Sequence, residues 1–212
     1  MSHEQAEWKI PFLGGGEDKG LNDGGVQNFK DRLSVAREPC QNIIDARELE
    51  SGNIPTAEFS LLSLPVSEFP GRERFRALFE ACQNYSDGGD GNMDETTASF
   101  FRMGQDILNR DSIPVLRIRD TNTTGLSGDD EDRSSRWYRL VRGQGRACVE
   151  GDGGGTFGIG QRAPFAFSQL RLVFYSSMVG DEYRFMGLSV SHPIYLIWRT
   201  TRKLLVGVTP YD

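Results

Sequence analysis

The sequence predicts an α/β fold organised as one domain, and three observations carry that reading. Several segments place apolar residues at helical spacing. Between them stand short apolar runs of strand length. The chain, 212 residues with 37% hydrophobic content, is long enough to build one sizeable core.

Taken in order, Gly14 to Gly25 is rich in glycine and acid and reads as a loop. From Phe29 to Glu50 the residues Phe29, Leu33, Ala36, Cys40, Ile43, Ile44 and Ala46 recur near helical spacing, which predicts a helix kinked or restarted at Pro39. Phe59 to Val66 reads as a strand. Arg72 to Tyr85 gathers Phe75, Leu78, Phe79 and Cys82 on one side, and Glu95 to Asn109 repeats the pattern with Phe100, Phe101, Met103 and Leu108. These two predict a helical insertion over about 67–112, its halves separated by the polar loop that begins at Ser86. Ile113 to Ile118 reads as a strand with Asp120 just past its end. Gly125 to Asp132 reads as an acidic, mobile loop, Trp137 to Val141 as a short amphipathic piece, and Gly143 to Gly155 as a glycine-rich loop. Together they suggest a lid over about 125–155. Ala163 to Leu170 reads as helix and Leu170 to Ser176 as a buried strand. After Gly187 the sequence fits none of these patterns, so residues 188–212 read as an atypical tail of a chain that is truncated or a fragment.

Bulk properties narrow the function. A formal charge of -6 and a pI of about 5.1 give no overall electrostatic reason to bind nucleic acid or an anionic membrane. Cys40, Cys82 and Cys148 are odd in number and lack close spacing, which argues against a disulfide framework or a zinc site and fits a reducing cytoplasm. The first residues, MSHEQAEWKIPFLGGG, lack the apolar stretch of a signal peptide, and nothing in the chain approaches the roughly 20 apolar residues of a membrane span. The sequence therefore predicts a soluble, cytoplasmic protein.

The most specific chemistry lies in GGGTFGIGQRAP, Gly153 to Pro164. Glycine lets the backbone approach a ligand closely, and a helix start behind it offers unpaired N–H groups and the positive end of a dipole. The pattern is that of a phosphate grip. A Walker loop would need Lys and then Ser or Thr after the last glycine, where Gln161 and Arg162 stand. A dinucleotide fingerprint is nominally spelled by Gly158, Gly160 and Ala163, but it should follow a buried strand, and the preceding residues are acidic and glycine-rich.

A second pattern lies in the first helix. Glu38, Asn42 and Asp45, spaced four and then three apart, share one helix face. Alone, such a stripe reads as the solvated face of an amphipathic helix. With its neighbours, REPCQNIIDA from Arg37 to Ala46 resembles the helix motif of the GHKL ATPase superfamily, which includes gyrase B, the MutL mismatch-repair proteins, histidine kinases, Morc proteins and a heat-shock chaperone. In that motif Glu, three residues, Asn, two residues and Asp-Ala recur. RIRDTNTTGLSG, Arg117 to Gly128, looks like a variant of the second motif, an Asp at a strand end followed by a glycine-bearing turn. GGGTFGIGQRAPFAFS resembles the third, with Phe157, Gly158, Ile159 and Gly160 matching best. The combination of NTTGL with GGGTFGIGQ is similar to a bacterial branch of GHKL ATP-binding proteins, some of them associated with gene clusters for defence against phage.

The resemblance spans about residues 29–176 and implies a two-layer α/β sandwich of the Bergerat type, a mixed sheet covered by helices on one face. It implies magnesium-dependent binding and slow hydrolysis of ATP, lid closure as a conformational switch, and an ATP-dependent homodimer. Asp120 would hold the adenine amino group, with Asn122 and Gly125 shaping the turn after it. Gly153, Gly154, Gly155, Thr156, Phe157, Gly158, Ile159 and Gly160 would cradle the phosphates. Glu38 would be the general base that positions and deprotonates water. Asn42, an amide oxygen one turn further on, would be a hard ligand for Mg2+. Thr156 and Arg162 are further candidates for phosphate contact.

Some residues depart from the family pattern. Pro39 follows the base and would remove the helix bond to the carbonyl of Val35. Asn122 replaces the first glycine of the second motif, and the next glycine arrives one position late; Asn tolerates left-handed geometry, so the turn can survive. Gln161 stands where some relatives have Lys. Relatives often draw a catalytic lysine from a further domain, and Lys203 is only a nominal counterpart. A non-hydrolysing, nucleotide-sensing interaction module is the alternative reading. A histidine kinase catalytic domain is disfavoured, because phosphotransfer needs no base to activate water and no segment bearing a phospho-accepting histidine precedes the motif.

Overall fold

The computed structural model describes residues 29, 33–49, 52–87, 95–129, 131–141, 160–191 and 194–203. Helix α1 is Ser34–Asp45. Strand β1, Thr56–Pro65, runs into a short 3-10 turn at Val66–Glu68 and then α2, Arg72–Asp87. Helix α3, Glu95–Leu108, leads to β2, Ser112–Thr121. The short α4 is Arg136–Val141. A second 3-10 turn, Gly160–Arg162, opens α5, Ala163–Phe167, and the described chain ends in β3, Leu172–Val179, β4, Glu182–Ser191, and β5, Ile194–Lys203.

The architecture is α/β, and its described strands form two antiparallel sheets rather than one mixed sheet. β1 and β2 pair from Thr56↔Thr121 to Pro65↔Ser112, with the α2–α3 hairpin inserted between them. The other sheet has the order β3-β4-β5. Its first turn is short: Val179 pairs with Glu182 across Gly180 and Asp181, and Gly180 has φ 58. Consecutive strands joined this closely must be antiparallel, since a parallel pair needs a long crossover.

The core is built mainly from phenylalanine. Phe75, Phe79, Phe100 and Phe101 line the α2–α3 interface, and Ile107, Leu108, Ile113, Leu170 and Leu172 extend it towards β2 and β3. Neighbouring rings lie 4.8 Å apart at Phe75 and Phe79 and 5.2 Å apart at Phe100 and Phe101. Each such ring contributes roughly 1.5–3 kcal/mol by leaving water. The helical insertion is thus the main packing unit of this side of the molecule. A smaller cluster of Trp137, Val141 and Met186 fixes α4 against β4, with Leu126 and Tyr175 beside it.

The structure corrects several boundaries. α1 continues through Pro39 without restarting, because one missing N–H leaves the remaining helix bonds on either side intact. Asp120 lies within β2, paired with Ala57, not past the strand end. α5 stops at Phe167 rather than Leu170: Ser168 turns extended, and Arg171 adopts φ 50. The segment expected to lack a pattern supplies the end of β4 and all of β5, whose register runs from Glu182↔Lys203 to Ser191↔Ile194. Gly125 to Asp129, expected as part of a mobile loop, is held: the Ser135 hydroxyl donates to the Asp129 carbonyl at 2.5 Å, and Trp137 N–H to the Ser127 carbonyl at 3.0 Å. Among the described residues no helix is long and apolar enough to cross a membrane.

Candidate functional site

α1 buries Ser34 and Ile43 and touches α5, the Gly160–Arg162 turn and β1, which leaves Asn42 and Asp45 facing solvent. Glu38 is different, with a side chain only 12% exposed. Arg37 donates from Nε and Nη2 to Glu38 Oε1 at 3.0 and 2.8 Å. The other oxygen, Oε2, lies over Gly160. A Cβ built on Gly160 would collide with it and sit 3.2 Å from Glu38 Cδ. Among the described residues Oε2 has no hydrogen-bond partner.

One turn beyond Glu38, the side-chain amide of Asn42 has no partner among the described residues. Asp45 accepts from Gln41 Nε2 at 2.9 Å, so of the three stripe residues it is the one already engaged within the helix.

The end of β2 meets the end of α1. Thr124 donates twice to the carbonyl of Ala46, from its N–H at 2.9 Å and its hydroxyl at 3.2 Å, while Arg47 and Thr123 form a β-bridge. These bonds satisfy a carbonyl at the helix terminus and fasten the Asp120 turn there. Asp120 is exposed, and the Thr123 hydroxyl donates to its Oδ2 at 2.5 Å. Oδ1 has no partner among the described residues and can accept a donor from outside. Asn122 takes the left-handed conformation, φ 59, and its Nδ2 donates to the carbonyl of Ile54 at 3.0 Å. Gly125, φ 62, packs where a Cβ would come within 2.7 Å of Val179 Cγ2. The next residue, Leu126, donates its N–H to Ser177 Oγ at 2.9 Å. The turn is therefore sewn to α1 on one side and to β3 on the other.

The third segment enters through Gly160. Pro164 presets the first turn of α5. The guanidinium of Arg171 closes the other end by donating to the carbonyls of Phe165 and Ala166 at 2.9 and 2.6 Å. Nearby, burial pushes the Tyr175 phenol well above its ordinary range, against the opposing pull of the Arg162 charge. Residues 142–159, which include Thr156 and the glycines from Gly153 to Gly158, lie outside the described residues.

α1 thus meets the Asp120 turn at its C-terminal end and the Gly160 turn at Glu38. Sequence reasoning brought these segments into one set but missed Arg37, Thr123 and Thr124. The signals were local: an arginine next to the acid, and a threonine three residues after Asp120. Among the described residues no group of three or more His, Cys, Asp or Glu side chains is gathered to hold a metal. Asn42, one turn from Glu38, offers one uncommitted amide oxygen, a hard donor of the kind that can join the waters and phosphate oxygens around Mg2+. No family model, curated protein or solved structure matches the chain.

Proposed function

We propose that this chain is a GHKL-type ATP-binding domain that binds Mg-ATP and hydrolyses it slowly. The observation that supports this reading most is the placement of α1, which carries Glu38 and Asn42 and contacts both the Asp120 turn and the Gly160 turn. Two ends of one rigid helix then serve the two ends of one ligand. At the Asp120 end, Oδ1 would accept from the adenine amino group. At the other, the glycine-rich segment would supply N–H donors to the phosphates and Asn42 an oxygen to Mg2+, which when bound offsets phosphate charge.

Glu38 would take the proton of the attacking water at Oε2, the oxygen that Arg37 leaves open. The water oxygen bonds to the γ-phosphorus, the β–γ bridging P–O bond breaks, and ADP and inorganic phosphate result. The two-layer Bergerat sandwich, closure of residues 125–155 over nucleotide, an ATP-dependent homodimer and a place in the cytoplasm belong to the same proposal. The alternative, a module that senses nucleotide without turnover, has no use for an open Glu38 oxygen.

The test is isothermal titration of the chain with a non-hydrolysable ATP analogue, with and without magnesium. Magnesium-dependent binding that Asp120→Ala abolishes supports the site. Binding retained by Glu38→Ala with hydrolysis lost supports the base. Absence of binding by the folded chain overturns the proposal.

A further inference from the structure

Four described glycines stand where a Cβ would collide with a neighbour, and at Gly160 the neighbour is a carboxylate. Gly104 meets Phe79, Gly125 meets Val179 and Gly128 meets Ser135, whereas Gly160 meets Glu38 at Oε2, with Cδ at 3.2 Å and Cβ at 3.6 Å. The need for glycine at 160 is not conformational. Its φ lies outside the left-handed range, so any residue could adopt this backbone, and only the space is special. The carboxylate therefore rests with Oε1 held by the Arg37 fork and Oε2 against bare backbone at the foot of the glycine-rich segment. Both guanidinium N–H groups converge on Oε1, so they pin that oxygen, while the position of Oε2 is set by what it rests against.

We infer that Gly160 is a positioning residue for Glu38: its missing side chain sets where Oε2 sits, while Arg37 anchors Oε1. The glycine-rich segment then has a second task besides holding phosphate. It ends in a surface against which the proton acceptor is seated before any nucleotide arrives. This inference rests on the proposed ATPase reading for its catalytic consequence, but the seating itself does not depend on nucleotide.

Gly160→Ala should push the carboxylate aside. In the nucleotide-free protein, the Arg37 Nε–H resonance should move, since its acceptor moves. With ATP, kcat should fall on the order of 10- to 100-fold, the scale of a misplacement of about an ångström. Because Gly160 also closes the proposed phosphate cradle, affinity for the non-hydrolysable analogue is measured beside kcat, and the inference requires the loss in kcat to exceed the loss in affinity. Thermal unfolding supplies the control. If Gly160→Ala lowers the midpoint through this collision, adding Glu38→Ala should restore it, the non-additivity expected of residues in contact.

An unmoved Arg37 resonance, or additive midpoint shifts in the double variant, would overturn the inference. So would equal losses in kcat and in analogue affinity. If the parent chain binds no nucleotide, the ATPase reading fails, and the resonance and midpoint measurements still decide whether Gly160 seats Glu38.

Discussion

Thr124 is bound to Ala46 twice, through backbone and hydroxyl, at 2.9 and 3.2 Å to the same carbonyl. The hydroxyl also accepts from Arg136 Nη1, so one side chain joins the end of α1, the turn after β2 and the start of α4. A nearly isosteric change separates the two bonds. Thr124→Val keeps the N–H contact and removes the hydroxyl, at an expected cost of about 1–2 kcal/mol for the lost bonds. In the proposed ATPase it should also weaken nucleotide binding, because the Asp120 turn loses part of its anchorage. Chemical denaturation and titration with the ATP analogue measure the two effects. Unchanged stability would show that the hydroxyl adds nothing to the turn's other attachments.

Gly104 of α3 lies directly under the ring of Phe79, so that a Cβ there would overlap the ring edge. Alanine in a helix interior ordinarily gains about 1 kcal/mol over glycine. Here the collision outweighs the gain, because Phe79 is 2% exposed and wedged between Phe75 at 4.8 Å and Phe101 at 5.4 Å. Overpacking of this kind costs about 1–3 kcal/mol. Gly104→Ala is expected to lower stability by up to about 2 kcal/mol net, and Phe79→Leu in that background should recover part of the loss. A stabilised Gly104→Ala protein would mean that the two helices separate easily.

What could be read from the sequence was the local pattern. The α2 and α3 amphipathic faces were legible because their phenylalanines fall at helical spacing, and both helices occur where that spacing places them. The left-handed turn at Asn122 was legible from residue type, and it is found at φ 59. The register of β5 was not. In IYLIWRTTRK apolar residues run together before a basic, polar stretch, so no clean alternation marks a face, and only pairing with β4 defines the strand. β4 carried a better signal in Tyr183, Phe185, Leu188 and Val190, interrupted by Met186 and Gly187, after a Gly-Asp turn. The contact of Glu38 with Gly160 joins residues 122 positions apart, beyond the reach of any periodicity. The alternation of elements indicated α/β, yet the antiparallel pairing of every described strand follows from turn lengths and long-range packing.

Glu58 on β1 gives the sheet a pH dependence. The Ser60 hydroxyl at 2.6 Å and the Arg117 guanidinium at 2.9 Å both donate to its Oε1 and hold the carboxyl below its ordinary range. A depressed folded-state pKa means that the unfolded chain binds this proton more readily. The stabilisation is therefore complete above the ordinary carboxylate value of roughly 4 and is lost as pH falls through the lower folded value. The group is fully exposed, so salt should weaken the effect. Denaturation midpoints taken at descending acidic pH should fall less steeply for Glu58→Gln than for the parent. Identical slopes would remove Glu58 from the acid response.

Asn122 separates two contributions that usually arrive together. Its φ of 59 is costly for a residue with a side chain, by roughly 1–2 kcal/mol, and asparagine reduces that cost through local hydrogen bonding. Here the bond is specific, from Nδ2 to the Ile54 carbonyl at 3.0 Å, and it ties the turn to the chain entering β1. Asn122→Gly, which resembles the usual second motif more closely, relieves the backbone but forfeits a bond worth about 1 kcal/mol, so the expected change in stability is within about 0.5 kcal/mol of zero. Asn122→Ala relieves nothing and loses the bond, so it should cost about 1–2 kcal/mol. Asn122→Asp keeps the shape and tolerates the conformation, but its ionised carboxylate cannot donate to Ile54, so it should fall between the other two. Chemical denaturation of the three variants supplies the order. If glycine proves as damaging as alanine, the bond to Ile54 outweighs the backbone strain, and this turn depends on its asparagine for attachment rather than for conformation.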